Sequence, residues 1–185
     1  MARIYTKTGD DGTTGLLYGG RVSKSDELVE VCGDIDEAVA ALGVARAGCG
    51  DTDRDLAAML LRLQREMFVV AADLAANPRQ RQRLVSGESS VSPEMVGGIE
   101  QTIDAIVSER PLGSVFVVPG TTSTEAHLDL ARGITRRAER HAIKARTAGR
   151  PVDDHVLRYL NRVSDLLYVI ARHSVGDAEE PSSHE

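Results

Sequence analysis

Arginines gathered in one stretch of the chain, ARGITRRAERHAIKAR, are the residues best suited to binding an anion. In a helix, Arg132, Arg136 and Glu139 would share one face, because they are spaced i, i+4 and i+7. Arg137 and Arg140 would lie at the side of that face. A guanidinium group stays charged at physiological pH and holds phosphate oxygens through paired hydrogen bonds. The stretch therefore predicts either a polyanion-binding helix face or a solvent-exposed face with charge pairs along the helix.

The N-terminal stretch RIYTKTGDDGTTGLLYGGRVSK is a second candidate for phosphate binding. Its glycines allow positive φ and let backbone N–H groups turn toward an anion. Its threonines supply hydroxyl groups, and Lys7 and Lys24 supply positive charge. The stretch lacks the G-x-x-x-x-G-K-[ST] pattern of a Walker A loop. Its composition predicts either a phosphate-binding arm or a plain β-hairpin.

Two other positions could contact an organic ligand. Phe116 stands in a short apolar run that closes with Pro119-Gly120, which is typical of a buried strand-like linker or of a wall against an apolar ligand. Asn161 falls at a core-like position of the last amphipathic stretch, where a buried amide needs a partner. That partner is either a neighbouring protein group or a ribose hydroxyl.

Other common catalytic and metal sites have no counterpart in the sequence. The histidines form no H-E-x-x-H motif and no Glu-x-x-His pair, and His127 and His141 would lie ~21 Å apart on one helix. Cys32 and Cys49 form no C-x-x-C, and no G-x-S-x-G occurs. Any catalysis would therefore rest on positioning and electrostatics.

Apolar periodicity predicts the elements that position these residues. Apolar side chains recur every three or four positions in five stretches, and glycine or proline stands at most of the boundaries. The predicted helices begin near residues 25, 56, 93, 122 and 156. Mostly short connections join them, so we expect an all-α fold: a five-helix bundle with a non-helical N-terminal arm.

The chain is predicted to form a single domain over residues 1–185. Residues 1–24 form the arm, 25–174 the helical bundle and 175–185 a flexible acidic tail. Residues 77–91 are polar and predict a mobile loop, which is either simply solvated or orders over a bound ligand.

Composition limits the class of protein. The chain has 185 residues and a net charge of −6. It contains no apolar run near the ~20 residues of a membrane span and no secretory h-region. The negative charge disfavours nucleic acid as a partner. We therefore expect a cytoplasmic protein that binds neither membranes nor nucleic acid. Arginine far outnumbers lysine, which reflects either codon bias or phosphate recognition.

Four segments taken together resemble the PduO-type ATP:cob(I)alamin adenosyltransferases. They are TKTGDDGTTGLLYGGRVSK, CGDIDEAVAALG, FVVPG with ARGITRRAER, and YLNRVSDLLYVIAR, in that order and within residues 3–172. The resemblance implies a homotrimer with ATP bound between neighbouring subunits. It also implies attack of the cobalt of cob(I)alamin on the 5′ carbon of ATP, which gives adenosylcobalamin and triphosphate. A cob(II)alamin reductase and an adenosylcobalamin-dependent mutase are the implied partners.

The resemblance also implies roles for individual residues. The family's triphosphate-binding arm is matched by Thr6, Lys7, Thr8, Gly9, Thr14, Gly15 and Lys24. Its nucleotide-binding R-R-A-E-R motif is matched by Arg136, Arg137, Ala138, Glu139 and Arg140. Asn161 matches the asparagine that approaches the ribose, and Asp36 and Arg132 match a salt bridge between subunits. Phe116 matches the aromatic residue that closes the lower face of the corrin, so Arg136 and Phe116 are the implied catalytic residues. Mg²⁺ would be bound through ATP phosphates, without a direct protein ligand.

Two positions depart from the family pattern, and three rival functions remain. Thr121 stands where the family usually has a second glycine, and Asp129 stands where it commonly has histidine. Asp129 could pair with Arg132 or Arg136. The rivals are phosphoryl transfer from the same ATP, a helical ATP-binding module that stores or delivers a cofactor without turnover, and a purely structural trimer.

Overall fold

Five α-helices form most of the structure, a computed structural model that describes residues 5–50, 53–113, 116–178 and 180–182. They are α1 (Glu27–Ala47), α2 (Arg54–Ala75), α3 (Pro93–Glu109), α4 (Ser123–Thr147) and α5 (Asp154–Val175). Four short strands accompany them: β1 (Thr13–Gly15), β2 (Arg21–Ser23), β3 (Val117–Val118) and β4 (Glu180–Pro181). The prediction of a five-helix bundle is confirmed.

Side-chain caps explain where four of the helices begin. Asp26 accepts a hydrogen bond from the Leu28 amide at 3.0 Å before α1, and Ser92 accepts one from the Met95 amide at 3.3 Å before α3. Thr122 and Asp153 cap α4 and α5 in the same way. Each cap satisfies an N–H group that has no partner within its helix.

The core depends on α4, which packs against α1 on one side and α5 on the other. Its buried face carries mainly small residues, with Ala131, Ala138, Ala142 and Ala145 fully buried. Larger side chains from the neighbouring helices complete this core, among them Ile35, Leu42, Leu160, Val163 and Leu167. Helix α2 packs on α1, and α3 packs on α5. No helix in the described ranges is long and apolar enough to cross a membrane.

Two polar segments are more ordered than the sequence predicts. Within residues 77–91, Pro78–Arg83 form a 3₁₀ helix rather than part of a mobile loop. Near the C-terminus, β4 pairs antiparallel with β3, and the Ser182 amide donates to the Phe116 carbonyl at 2.8 Å. Residues 180–182 therefore contact the segment that carries Phe116. Backbone hydrogen bonds pair β4 with β3, so side-chain composition gave no signal of this contact.

Truncating Leu63 should test the core. Leu63 of α2 is fully buried, and L63A should lower the free energy of unfolding by about 3 kcal/mol, because it removes apolar contacts and leaves a cavity. Urea denaturation followed by far-UV circular dichroism measures the loss. L63M conserves most of the volume and should cost less than about 1.5 kcal/mol. Equal losses from both substitutions would contradict tight packing at this position.

Candidate functional site

An exposed row of arginines runs along the outer side of α4. Arg136 is exposed, and among the described residues its guanidinium has no hydrogen-bond or ion-pair partner. Arg140 lies one turn further on and donates to the Arg136 carbonyl at 3.1 Å. Arg132 lies one turn before, half-buried, with its guanidinium 3.9 Å from Asp129. The row therefore presents at least one free guanidinium to a ligand.

Arg137 is bound within the chain, although it belongs to the predicted nucleotide-binding motif. Its Nε donates to Asp34 Oδ1 at 2.8 Å, and its guanidinium also pairs with Glu37. The hydrogen bond and charge of Asp34 raise the pKa of Arg137 further above its ordinary value. Asp34 is buried and also contacts His141 Nδ1 at 2.6 Å. Arg137 thus joins α4 to α1 rather than standing free for a phosphate.

Ala138 and Glu139, two more residues of the R-R-A-E-R motif, have different environments from the arginines and from each other. Ala138 is fully buried in the α4 stripe, so its side chain serves packing and cannot reach a ligand. Glu139 is half-buried and makes no hydrogen bond or ion pair with any described residue.

A surface cavity of about 500 Å³ opens beside the start of the arginine row. Its lining combines apolar and charged side chains: Leu112, Phe116, Val117, Pro119, Asp129, Arg132, Asp165, Tyr168, Val169 and Arg172. Phe116 is 85% exposed, more than any other large apolar side chain among the described residues. The Arg132 guanidinium lies 5.3 Å from the centre of the Tyr168 ring. The cavity can therefore hold a large ligand with an apolar face next to an anion-binding row.

A buried charge cluster supports the segment that carries Phe116. Glu125 is 1% exposed and accepts hydrogen bonds from the amides of Gly120 and Thr121 at 2.8 and 3.1 Å. Arg172, 5% exposed, donates to the carboxylates of both Glu125 and Asp129. The cluster ties the turn after β3 to α4 and α5. Thr121 takes part through its backbone amide, which a glycine would supply equally.

The two carboxylates of this cluster differ in acidity. Burial opposes ionisation of Glu125, but the Gly120 amide, the hydrogen bond with Asp129 and the Arg172 charge outweigh it and leave the pKa of Glu125 below its ordinary value. Burial is the main reason that the pKa of Asp129 lies above its ordinary value. Asp129, predicted to pair with Arg132 or Arg136, binds Arg172 more closely.

The N-terminal arm brings together some of the residues that were predicted to bind the triphosphate. A loop over residues 6–12 precedes the β1–β2 hairpin, and the Lys24 amide donates to the Gly12 carbonyl at 2.8 Å. A Cβ built at Gly9 would lie 3.1 Å from the Thr13 carbonyl oxygen and 3.3 Å from Lys24 Nζ, so a side chain there would crowd both groups. The hydroxyls of Thr6 and Thr8 lie 2.8 Å apart beside Lys7, which has a positive φ of 61°. Loop hydroxyls and an ammonium group therefore share one small region.

The remaining predicted residues lie elsewhere. Thr14 and Gly15 line a separate cleft of about 120 Å³ against α1 and α2. Asn161 Oδ1 accepts a hydrogen bond from Arg162 at 2.7 Å, so a protein group already uses its carbonyl. Asp36 is exposed on α1 and has no ion pair with Arg132 inside the chain. The described residues contain no group of three or more His, Cys, Asp or Glu that could hold a metal ion.

Comparison with known proteins decides the family. The cobalamin adenosyltransferase family model matches residues 4–174. The chain is 38% identical over 174 residues to the corrinoid adenosyltransferase of Citrobacter freundii, covering 93% of this chain and 94% of that protein. It is 39% identical over 184 residues to that of Bacillus subtilis, covering 96% and 91%. The chain belongs to the cobalamin adenosyltransferase family.

Solved structures agree with this assignment. A variant PduO-type ATP:corrinoid adenosyltransferase from Lactobacillus reuteri, complexed with cobalamin and ATP, superposes with a TM-score of 0.85 at 27% identity, covering 99% of this chain and 97% of that one. A second variant from the same organism, complexed with ATP, gives a TM-score of 0.85 at 26% identity and covers 99% and 100%. The resemblance inferred from sequence motifs is thus confirmed.

Sequence reasoning did not identify the ion pairs around the Phe116 cavity and the arginine row. The T-x-x-E pattern of Thr122 and Glu125 is a capping-box signal that could have marked Glu125 as structurally important. Its partner Arg172 lies 47 residues away, and Asp34 lies 103 residues from Arg137. No local spacing rule links residues so far apart.

Replacing Glu125 should loosen the turn next to Phe116. In E125Q, the amide NH₂ must face either Arg172 or the backbone N–H groups of Gly120 and Thr121, which places donor against donor. We expect the free energy of unfolding to fall by about 3 kcal/mol, as when one partner of a buried pair is removed. Chemical denaturation measures the loss, and hydrogen exchange at Gly120 and Thr121 should speed up.

Glu109 offers a matched control for this substitution. It is exposed at the end of α3 and makes no ion pair with a described residue. E109Q should change the unfolding free energy by no more than about 0.5 kcal/mol. If E125Q behaves like E109Q, the cluster does not hold the turn.

Proposed function

We propose that this chain transfers the 5′-deoxyadenosyl group of ATP to the cobalt of cob(I)alamin, giving adenosylcobalamin and triphosphate. The observation that carries the proposal is that the Phe116 cavity and the α4 arginine row meet at Arg132, which belongs to both. One part offers an aromatic wall to an apolar macrocycle, and the other offers guanidinium groups to phosphates. The Lactobacillus reuteri structures, complexed with cobalamin and ATP or with ATP, support this pairing of ligands.

The chemistry suits a site without an acid or base. Cobalt(I) donates an electron pair to the 5′ carbon, the cobalt–carbon bond forms, and the carbon–oxygen bond to the triphosphate breaks with its electrons leaving on that oxygen. No proton is transferred. The protein must align cobalt and carbon and stabilise negative charge on the departing triphosphate. Arg136, Lys7 and Lys24 are the residues that we assign to that charge.

Magnesium would be bound through the nucleotide. Mg²⁺ prefers oxygen ligands and commonly enters sites with substrate phosphates. The described residues offer no acidic cluster that would hold it on their own. Its contribution would be to neutralise phosphate charge and to favour departure of the triphosphate.

We infer that neighbouring subunits of a homotrimer share the site. Among the described residues, no hydrogen bond or ion pair joins the arm to α4 of the same chain, although both carry residues assigned to ATP. Asp36 has no ion-pair partner within the described chain and is available to an arginine of another subunit. An arm from one subunit and an arginine row from the next would complete the nucleotide site.

The reaction requires one enzyme that supplies its substrate and another that uses its product. Cobalt(I) must come from a reductase that acts on cob(II)alamin, and adenosylcobalamin must pass to a mutase that uses it. We place these steps in the cytoplasm, where ATP and cellular reductants are at hand.

An anaerobic assay with chemically reduced cobalamin and MgATP tests the proposal. The light-sensitive spectrum of adenosylcobalamin, with an equal amount of triphosphate, is the expected result. ADP as the product would instead identify phosphoryl transfer. Nucleotide binding without turnover would leave a storage or delivery module, and absence of binding would leave a structural trimer.

Arg136 should be required for turnover but not for folding. Because its guanidinium is exposed and unpaired, R136A should lower kcat/KM for ATP at least about 100-fold while far-UV circular dichroism stays unchanged. Arg158, exposed on α5 and unpaired among the described residues, provides the control R158A. Equal activity of R136A and R158A would refute the assignment.

Phe116 should act on the cobalamin side of the reaction. F116A removes the aromatic wall, so we expect adenosylation to slow about tenfold, equivalent to ~1.4 kcal/mol of lost stabilisation, with ATP affinity almost unchanged. Stopped-flow spectroscopy and calorimetric ATP titration separate the two effects. Phe68, 59% exposed on α2 and outside the cavity, gives the control F68A. A selective loss of ATP affinity in F116A would contradict this role.

A further inference from the structure

The segment between α2 and α3 contacts the N-terminal hairpin at its turn. We call residues 13–23 the arm hairpin and residues 76–91 the platform. We propose that the platform positions the arm hairpin for nucleotide binding, with Arg83 as the principal positioning residue. The proposal rests on the proposed function only in assigning the arm to the triphosphate of ATP.

Backbone hydrogen bonds join the hairpin turn to the last residue of α2 and to the beginning of the platform. The Leu17 amide donates to the Ala75 carbonyl at 2.9 Å, and the Asn77 amide donates back to the Leu17 carbonyl at 2.9 Å. The Asn77 side chain also donates to the Gly19 carbonyl at 2.8 Å. Asn77 lies so close to Gly20 that a Cβ there would be 3.0 Å from its amide nitrogen. The turn is thus fixed from two directions.

Tyr18 adds a side-chain contact at the same turn. The Arg83 guanidinium lies 4.4 Å from the centre of the Tyr18 ring, and the Tyr18 hydroxyl lies 3.5 Å from Ser89 Oγ. Tyr18 has a φ of 66°, a conformation that costs free energy for any residue with a side chain. Contacts from the middle and from the end of the platform therefore hold a strained residue at the tip of the hairpin.

The platform is itself anchored to the bundle. Asp73, 1% exposed near the end of α2, accepts hydrogen bonds from Arg81 at 2.6 Å and from the Val91 amide at 3.0 Å. Arg81 also donates to the Asp73 carbonyl at 2.8 Å. One buried carboxylate thus fixes the platform at its middle and at its end. A segment held in this way serves as a base for the hairpin rather than as a lid.

The hairpin transmits this position to the phosphate-binding loop. Strand β1 pairs with β2 in a register that sets Thr13 opposite Ser23 and Gly15 opposite Arg21. Arg21 donates to Thr13 Oγ1 at 2.9 Å and also to the Thr8 carbonyl in the loop. The turn held by the platform is at one end of this ladder, and the loop assigned to the triphosphate is at the other.

The expected effect is on nucleotide affinity. A loop held near its bound position loses less conformational entropy when ATP binds, so loosening the turn should weaken binding. No platform residue lines the Phe116 cavity. Turnover at saturating ATP should therefore stay the same.

Isothermal titration of MgATP into the full-length protein tests the proposal without requiring turnover. R83A should raise the dissociation constant about three- to fivefold, consistent with loss of an exposed cation–π contact, and R83K should restore most of the affinity. In the R83A protein, amide hydrogen exchange in residues 13–23 should accelerate while the helices keep their protection. R79A is the matched control, because Arg79 is exposed in the same 3₁₀ helix and its side chain has no described partner.

The outcomes separate the two proposals. A Y18A R83A double variant that binds MgATP no more weakly than R83A alone would locate the effect in the ring contact. If R83A matches R79A in affinity and in hairpin exchange, the platform does not position the arm, whatever the wild type does. If the wild type forms no adenosylcobalamin, the proposed function fails, yet the titration still decides the role of the platform.

Discussion

The stripe of alanines on α4 is the constraint on which the rest of the structure depends. Because these side chains are small, α1 and α5 can both approach α4 closely, and ion pairs then fix its rotation from either side. Arg137 binds Asp34 of α1 on one flank, and Arg172 of α5 binds Asp129 on the other. With α4 held in this orientation, Arg136 faces outward and remains available. A larger residue in the stripe would separate the helices and disturb both flanks.

Much of this architecture could be predicted from the sequence. Helix α4, predicted to begin near residue 122, spans Ser123–Thr147, because capping residues and glycines are local signals. The roles of adjacent arginines could not be separated in the same way. Arg136 and Arg137 look alike in the R-R-A-E-R motif, and only the position of α1 decides that Arg137 is occupied. The family resemblance located the motif, whereas the packing distinguishes its members.

Residues 77–91 and 180–182, the two polar segments, show a second limit of prediction from sequence. Their composition indicates solvent exposure, and their side chains are indeed mostly exposed, but exposure does not imply disorder. The platform is fixed by Asp73, a buried carboxylate inside an otherwise apolar helix pattern, and β4 is fixed by backbone pairing with β3. Backbone partners can be supplied by any sequence. The contacts that hold these two segments in place therefore cannot be predicted from amino-acid composition.

The charge cluster beneath Phe116 restricts the order in which its residues can be exchanged during divergence. Replacing Asp129 by a neutral residue leaves Arg172 paired with Glu125, so one cation still faces one anion. Replacing Arg172 first would leave two carboxylates together in a buried place without that cation, which is costly. A neutral residue at position 129 is therefore accessible from this chain by a single step. Loss of the arginine costs less once one carboxylate has been replaced, so a change at position 129 alters which changes at position 172 the fold can tolerate.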